Sequence, residues 1–163
     1  DVDVKELVQY ADSVTFCLSK GLSAPVGSVV CGNERFIYHA RCIRKALGGG
    51  MRQAGIIAAA GLFSLENMLD QIKEDHNNAQ QFAKRVSEIP GVHLVNEDVQ
   101  TNLIFFDVSG SQLPAQDISA RLREQGVWIG AIDNERMRAV THLDVSRDDV
   151  NEAADRLADV ING

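Results

Sequence analysis

Asp12-Ser13-Val14-Thr15-Phe16-Cys17-Leu18-Ser19-Lys20-Gly21-Leu22 sets a β-branched and aromatic run against an abrupt small-residue turn, with a lysine at the join. Val, Thr and Phe fit a pleated backbone, so Ser13 to Cys17 reads as a strand. Leu18 to Val26 contains Gly21 and Pro25 and reads as a loop. Gly27 to Cys31 is a second short strand, able to pair with the first and closed by Gly32-Asn33. Upstream, Val4, Leu7, Val8 and Ala11 recur at helical spacing, which predicts a helix over 3–12 that feeds the first strand. Downstream, Phe36, Ala40, Ile43 and Leu47 mark one face of a helix over 34–47. Gly48-Gly49-Gly50 stops it, and a further helix is expected from near Met51.

A longer helical stripe, Leu69, Ile72, Ala79, Phe82, Val86 and Ile89, runs to Pro90-Gly91. Strand-like Val92 to Val95 and Leu103 to Val108 follow, so a domain boundary is expected within or just after this helix, dividing 1–75 from 76–163. The remainder reads as a small α/β domain. It holds a helix over Ala115 to Glu124 ended by Gly126, short strands over Val127 to Ile129 and Arg138 to Val140, and a last helix. Ser146 would cap that helix with Asp149 three residues on, and Val150, Ala153, Leu157 and Val160 share its apolar face.

A chain of 163 residues, 45% of them hydrophobic, can bury a core of one large or two small domains. Its formal charge of -7 gives no positive field to hold a nucleic-acid backbone or an anionic membrane. The longest apolar stretch, Ala54 to Phe63, is too short to span a bilayer. Cys17, Cys31 and Cys42 are odd in number, lack metal-ligand spacing and have apolar sequence neighbours, which points to a reducing compartment, the cytoplasm by default.

Lys20 would hold its amine at a strand end with little bulk beside it. A Schiff base with a carbonyl cofactor needs such an amine in its neutral form, which burial or neighbouring cations favour. On local sequence alone, a solvated loop lysine is the stronger reading. Residues 33–53 set Arg35, Arg41, Arg44, Lys45 and Arg52 against the single acid Glu34. Arg41 and Lys45 are four apart on one helical face, and Arg52 follows the glycines where a helix is expected to begin, so phosphate or carboxylate would fit. A solvated basic face beside a glycine helix stop is an equally good account. The glycine run lacks the Gly-Lys-Ser/Thr ending of a nucleotide-binding P-loop. Arg138, within Met137 to His142, could bind a substrate carboxylate through two bonds or pair with a surface acid. His76 falls on the apolar face of its helix, which suits a core or interface role. His142 could help shape a pocket near Arg138. Neither histidine has metal-ligand or Ser-His-Asp spacing.

Taken in order, three blocks change the balance. Asp12 to Leu22 with Ala24-Pro25-Val26-Gly27-Ser28 resembles the cofactor-lysine segment of the threonine aldolases, the low-specificity L-threonine and L-allo-threonine enzymes. Arg44-Lys45 with Gly48-Gly49-Gly50-Met51-Arg52-Gln53-Ala54-Gly55 resembles that family's glycine-rich segment. Arg138 with Val140-Thr141-His142-Leu143-Asp144-Val145 resembles its carboxylate-binding segment. The resemblance covers essentially the whole chain and implies an α/β, fold-type-I (aspartate aminotransferase-like) pyridoxal-phosphate enzyme. It implies Lys20 as the cofactor lysine, Arg138 as a ligand of the substrate carboxylate, and Lys45 and Arg52 beside the cofactor or the subunit boundary. Ser23 stands where the family usually has glycine. The family's phosphate-cradling turn, ring-stacking histidine, ring-nitrogen aspartate and second carboxylate-binding arginine find no match here.

The expectation is therefore the C-terminal part of a longer enzyme. Residues 1–75 would close the cofactor-binding large domain and residues 76–163 would form the small C-terminal domain. The implied partners are an amino-acid substrate, the remaining N-terminal segment and further copies in a homo-oligomer, usually a tetramer. The implied reaction releases glycine and an aldehyde. Its rivals are another fold-type-I lyase or racemase, and a non-catalytic fragment.

Overall fold

The computed structural model describes residues 2–163, which separate into two compact units, Asp1–Leu69 and Asp70–Gly163. In the first, β1 (Ser13–Cys17) and β2 (Ser28–Gly32) pair as the sequence allowed, and the pairing is antiparallel, with Cys17 opposite Ser28 and Ser13 opposite Gly32. Before them, α1 spans only Val4–Leu7 and not the whole of 3–12. None of its residues is buried, and a helix without tertiary packing is short-lived beyond its capped first turn.

Asn33 caps α2 (Glu34–Ala46) by accepting the Phe36 N–H at 2.9 Å. The same helix ends as glycine dictates. Gly48 adopts φ +82°, its N–H reaches the Lys45 carbonyl at 3.2 Å, and the Gly49 N–H reaches the Arg44 carbonyl at 2.8 Å. These two bonds satisfy carbonyls that a helix end otherwise leaves open. The next helix, α3 (Gly55–Asn67), starts later than the expected position near Met51. Gln53 sits at φ +50°, which breaks helical continuity before residue 54.

Little of this unit is buried. Leu22, Ala24, Gly61 and Ser64 are, but Phe36, Ile43 and Leu47, the apolar face of α2, are all exposed, as is Ile56 on α3. The three cysteines are exposed too, so the apolar surroundings expected from their sequence neighbours are absent. Cys17 shares with Ser13 and Thr15 the more open face of a strand whose side chains alternate.

The second unit is a four-stranded antiparallel sheet in the order β3 (His93–Leu94), β4 (Leu103–Asp107), β6 (Arg136–Val140), β5 (Gly130–Ala131). Its core brings together residues from α4 (Leu69–Ser87), α5 (Ala115–Glu124) and α6 (Arg147–Asn162), all joining the inward residues of one sheet face. Ile104 and Phe106 on β4 alternate inward with Met137 and Ala139 on β6, and the Phe106 ring meets Phe82 of α4 edge to face. Alternation puts Arg136, Arg138 and Val140 on the opposite, open face.

The strand expected over Val127 to Ile129 lies instead at Gly130–Ala131. The Val127 N–H is taken by the Leu122 carbonyl at 2.9 Å and the Ile129 carbonyl by the Ser119 hydroxyl at 2.6 Å, so both serve α5 before ladder pairing begins.

Ser146 and Asp149 form the expected capping box at the start of α6. The Ser146 hydroxyl and backbone N–H both donate to the Asp149 carboxylate and hold its pKa below the ordinary 3.8. A carboxylate whose folded pKa is depressed contributes stability above its unfolded value, and that contribution is lost as pH falls through the folded one. The melting midpoints of the parent protein and an Asp149→Ala variant should therefore differ near neutral pH and converge in strong acid. A difference independent of pH would reject this account of the cap.

Candidate functional site

Lys20 occupies the ten-residue connection between β1 and β2, which is closed at three levels. The Leu18 N–H donates to the Gly27 carbonyl at 2.9 Å, the Ala24 N–H to the Leu18 carbonyl at 3.0 Å, and the Ser23 N–H to the Lys20 carbonyl at 2.8 Å. Buried Leu22 and Ala24 anchor the loop, whereas Lys20 is exposed. Leu18 is seated against Gly61 of α3, where even a methyl group would stand 3.0 Å from its Cδ1. Ser23 holds φ +58°, a left-handed conformation that costs an L-residue about 1–2 kcal/mol and glycine nothing. The serine is thus accommodated with strain, and the backbone that presents Lys20 keeps a glycine-like turn.

Lys45 lies in the last turn of α2, with its chain laid across Gly50. A Cβ at that glycine would stand 2.9 Å from Lys45 Cδ and 3.6 Å from Nζ. Arg52 is in the bend before α3, not at a helix start as expected, so the open N–H groups of that helix lie beyond it. Arg138 projects from β6, where it pairs in register with Phe105 and Gly130. All four cations are exposed, and none makes an ion pair among the described residues. Lys20, Lys45 and Arg52 belong to the first unit and Arg138 to the second.

His76 is half-buried on α4 and His142 is exposed, with its Nδ1 accepting the Asp144 N–H at 3.3 Å. A cavity of about 290 Å³ in the second unit is bordered by Trp128, Thr141, Asp144 and Arg156, but not by Arg138. Sequence reading missed a buried polar cluster beside it. Asp75 and Asn78 of α4 are each 1% exposed and Thr141 is 4% exposed. The Thr141 hydroxyl donates to the Asp75 backbone carbonyl at 2.6 Å, Asn78 Nδ2 to the Val145 carbonyl at 3.2 Å, and Gln71 Nε2 to Asp75 Oδ1 at 2.9 Å. Asn78 Oδ1 has no partner among the described residues, a burial that costs about 1–3 kcal/mol. The available signal was the placement of Asp75 and Asn78 between Ile72 and Phe82, where the helical stripe called for apolar residues.

A model of the beta-eliminating lyase family matches residues 1–109. The chain belongs to that family. Among curated relatives, it is 42% identical over 151 residues to low-specificity L-threonine aldolase 1 of Arabidopsis thaliana, covering 92% of this chain and 42% of that protein. It is 43% identical over 152 residues to the low specificity L-threonine aldolase of Escherichia coli K12, covering 93% and 44%. The chain is thus similar, over more than nine-tenths of its length, to proteins named as threonine aldolases, the enzymes that its three sequence blocks resemble. The chain spans less than half the length of either relative and matches their C-terminal portion.

A solved structure from an Exiguobacterium species, named there as a candidate aromatic amino acid beta-eliminating lyase/threonine aldolase, superposes with a TM-score of 0.77. It is 19% identical and covers 95% of this chain and 46% of that one. At that identity the likeness shows the fold, which is the α/β fold of fold-type-I enzymes. No helix among the described residues is long and apolar enough to cross a membrane.

Proposed function

We propose that this chain is the C-terminal part of a cytoplasmic, homotetrameric pyridoxal-phosphate enzyme that cleaves L-threonine or L-allo-threonine to glycine and acetaldehyde. The observation that carries this is the 43% identity, over 93% of the chain, to a protein named as a low-specificity threonine aldolase. In this reading the first unit closes the cofactor-binding large domain and the second is the small C-terminal domain. The exposed apolar face of α2 is then covered by the enzyme's N-terminal segment or by another subunit.

The donors present fit the cofactor. Its phosphate needs cations that no acid already neutralises, and its aldehyde needs a primary amine. Lys45 and Arg52 supply unpaired charge, and Lys20 supplies an amine on a loop whose backbone is fixed. Bound pyridoxal phosphate supplies a carbonyl that reacts with amines and a conjugated ring that accepts electron density from a breaking bond at the substrate's Cα.

The chain's own residues bind and orient. Lys20 Nζ would hold the cofactor, as the nucleophilic primary amine that this chain offers to a carbonyl. Arg138 takes the substrate carboxylate in a two-bond fork, which fixes rotation about the Cα so that the Cα–Cβ bond is the one aligned to break. Lys45 and Arg52 balance the phosphate charge.

The family's description keeps β-elimination as the rival reaction. Incubating the cofactor-loaded, full-length protein with threonine and with phenylserine separates the two. Equal amounts of glycine and the matching aldehyde are expected, whereas ammonia with 2-oxobutyrate from threonine or phenylpyruvate from phenylserine, or racemised threonine without aldehyde, would overturn the aldol reading.

A further inference from the structure

The buried cluster on α4 has no place in the chemistry above, yet its geometry is directed. Thr141 follows the end of the strand that carries Arg138 by one residue, and Val145 closes the turn beyond it, its N–H bonded to the His142 carbonyl at 2.9 Å. Both ends of this segment are tied to one turn of α4, Thr141 to the Asp75 carbonyl and Val145 to the Asn78 amide. A third tie comes from across the sheet. Asn102 Nδ2 donates to the Thr141 carbonyl at 2.9 Å, and the Thr141 N–H returns a bond to the Asn102 carbonyl at 3.1 Å.

Asn78 is the telling member. It is wholly buried, yet half of its amide goes unsatisfied, so an apolar residue of similar volume would suit the core at least as well. Only its bond to Val145 distinguishes it from such a residue. Its acceptor belongs to a residue, Val145, that is only partly buried.

We infer that Asn78 and Thr141 are positioning residues that lock the end of β6, and so the aim of Arg138, against α4. This rests on the reading of Arg138 as the carboxylate ligand. It goes further in making the stiffness of the Thr141–Val145 segment the source of that residue's precision. Asn78 then trades core stability for placement, as residues near functional sites do. Neither side chain touches substrate. Losing either tie should misplace the fork and weaken amino-acid binding, with little change in the step that follows.

The test uses the full-length, cofactor-loaded enzyme. Asn78→Leu and Thr141→Val should each raise KM for threonine by about fivefold, the size expected from loosening one charge-assisted contact, with kcat changed less than about twofold. Thr141→Ser, which keeps the hydroxyl, should restore the parent KM. The melting midpoint of Asn78→Leu should be equal to or above the parent's, which a merely structural role does not predict. In an Arg138→Gln background, Asn78→Leu should add nothing to KM, because the residue it positions is gone.

If Arg138→Gln raises KM while Asn78→Leu and Thr141→Val do not, the positioning claim fails and the reading of Arg138 stands. The claim fails equally if the effects of Asn78→Leu and Arg138→Gln multiply, or if Asn78→Leu melts lower with KM unmoved. If Arg138→Gln itself leaves KM unchanged, the underlying reading fails first and the inference goes with it.

Discussion

Lys20→Arg in the full-length protein is expected to lower kcat for threonine cleavage by about four orders of magnitude, the scale set by loss of a group that acts at the reacting centre. Arginine is the informative replacement. It keeps the positive charge and nearly the reach of lysine, but its guanidinium does not give up a proton near neutral pH, so no neutral amine is available. If Lys20 served only as a charge beside an anion, the variant would retain most of its activity.

Folding should be unaffected. The Lys20 side chain is exposed and makes no hydrogen bond or ion pair among the described residues, and the loop is held by the backbone bonds of Leu18, Ala24 and Ser23. Melting midpoints should therefore agree to within the shift of an ordinary surface substitution, about 0.5 kcal/mol. A large loss of kcat with an unchanged midpoint assigns the residue to chemistry. Comparable loss of both would assign it to the fold.

Arg138→Gln is the second large effect. Two bonds between a guanidinium and a carboxylate, each worth about 1.5 kcal/mol net, predict a rise in KM for threonine of roughly 150-fold. kcat should fall less, because the lost interaction is made in the ground state as well as in the transition state. Arg138→Lys should recover only part of the affinity, since an ammonium offers a point charge where a planar fork is needed. Steady-state kinetics with threonine across the three proteins checks all of this. An Arg138→Gln enzyme with the parent KM would remove the residue from the substrate site. Arg138 lies on the open sheet face without an acidic partner among the described residues, so the substitution leaves no buried charge behind and the protein should remain folded.

Local pattern carried much of this fold. The β1–β2 hairpin, the glycine stop of α2 and the Ser146–Asp149 cap each depend on residues adjacent in sequence, where conformational preference and side-chain chemistry act directly. Expectations slipped where one residue's backbone geometry or a distant hydrogen bond decided the outcome. The left-handed Gln53 delayed α3, and the bonds of Val127 and Ile129 to α5 kept that stretch out of the sheet. Periodicity identified the face of α2 but not its partner, because an apolar stripe says that a surface is fit for burial and not what buries it.

The candidate site was legible in a different way. Lys20, Lys45, Arg52 and Arg138 were singled out by the motifs around them; each is an exposed cation, and for Lys20 local sequence alone favours a solvated loop residue. The Asp75, Asn78 and Thr141 cluster was missed because its meaning lies in bonds spanning some 66 residues, which no local window contains. Its trace in the sequence is two polar residues on a helical stripe that should be apolar.

The central claim is that Lys20 holds the cofactor, and it can be read at one atom. The full-length protein should be loaded with pyridoxal phosphate, reduced with borohydride, digested, and mapped by mass spectrometry. The pyridoxyl mass is expected on the peptide containing Ser19-Lys20-Gly21, with fragmentation placing it on Lys20. Label on Lys45 or any other lysine, with Lys20 unmodified, would contradict it.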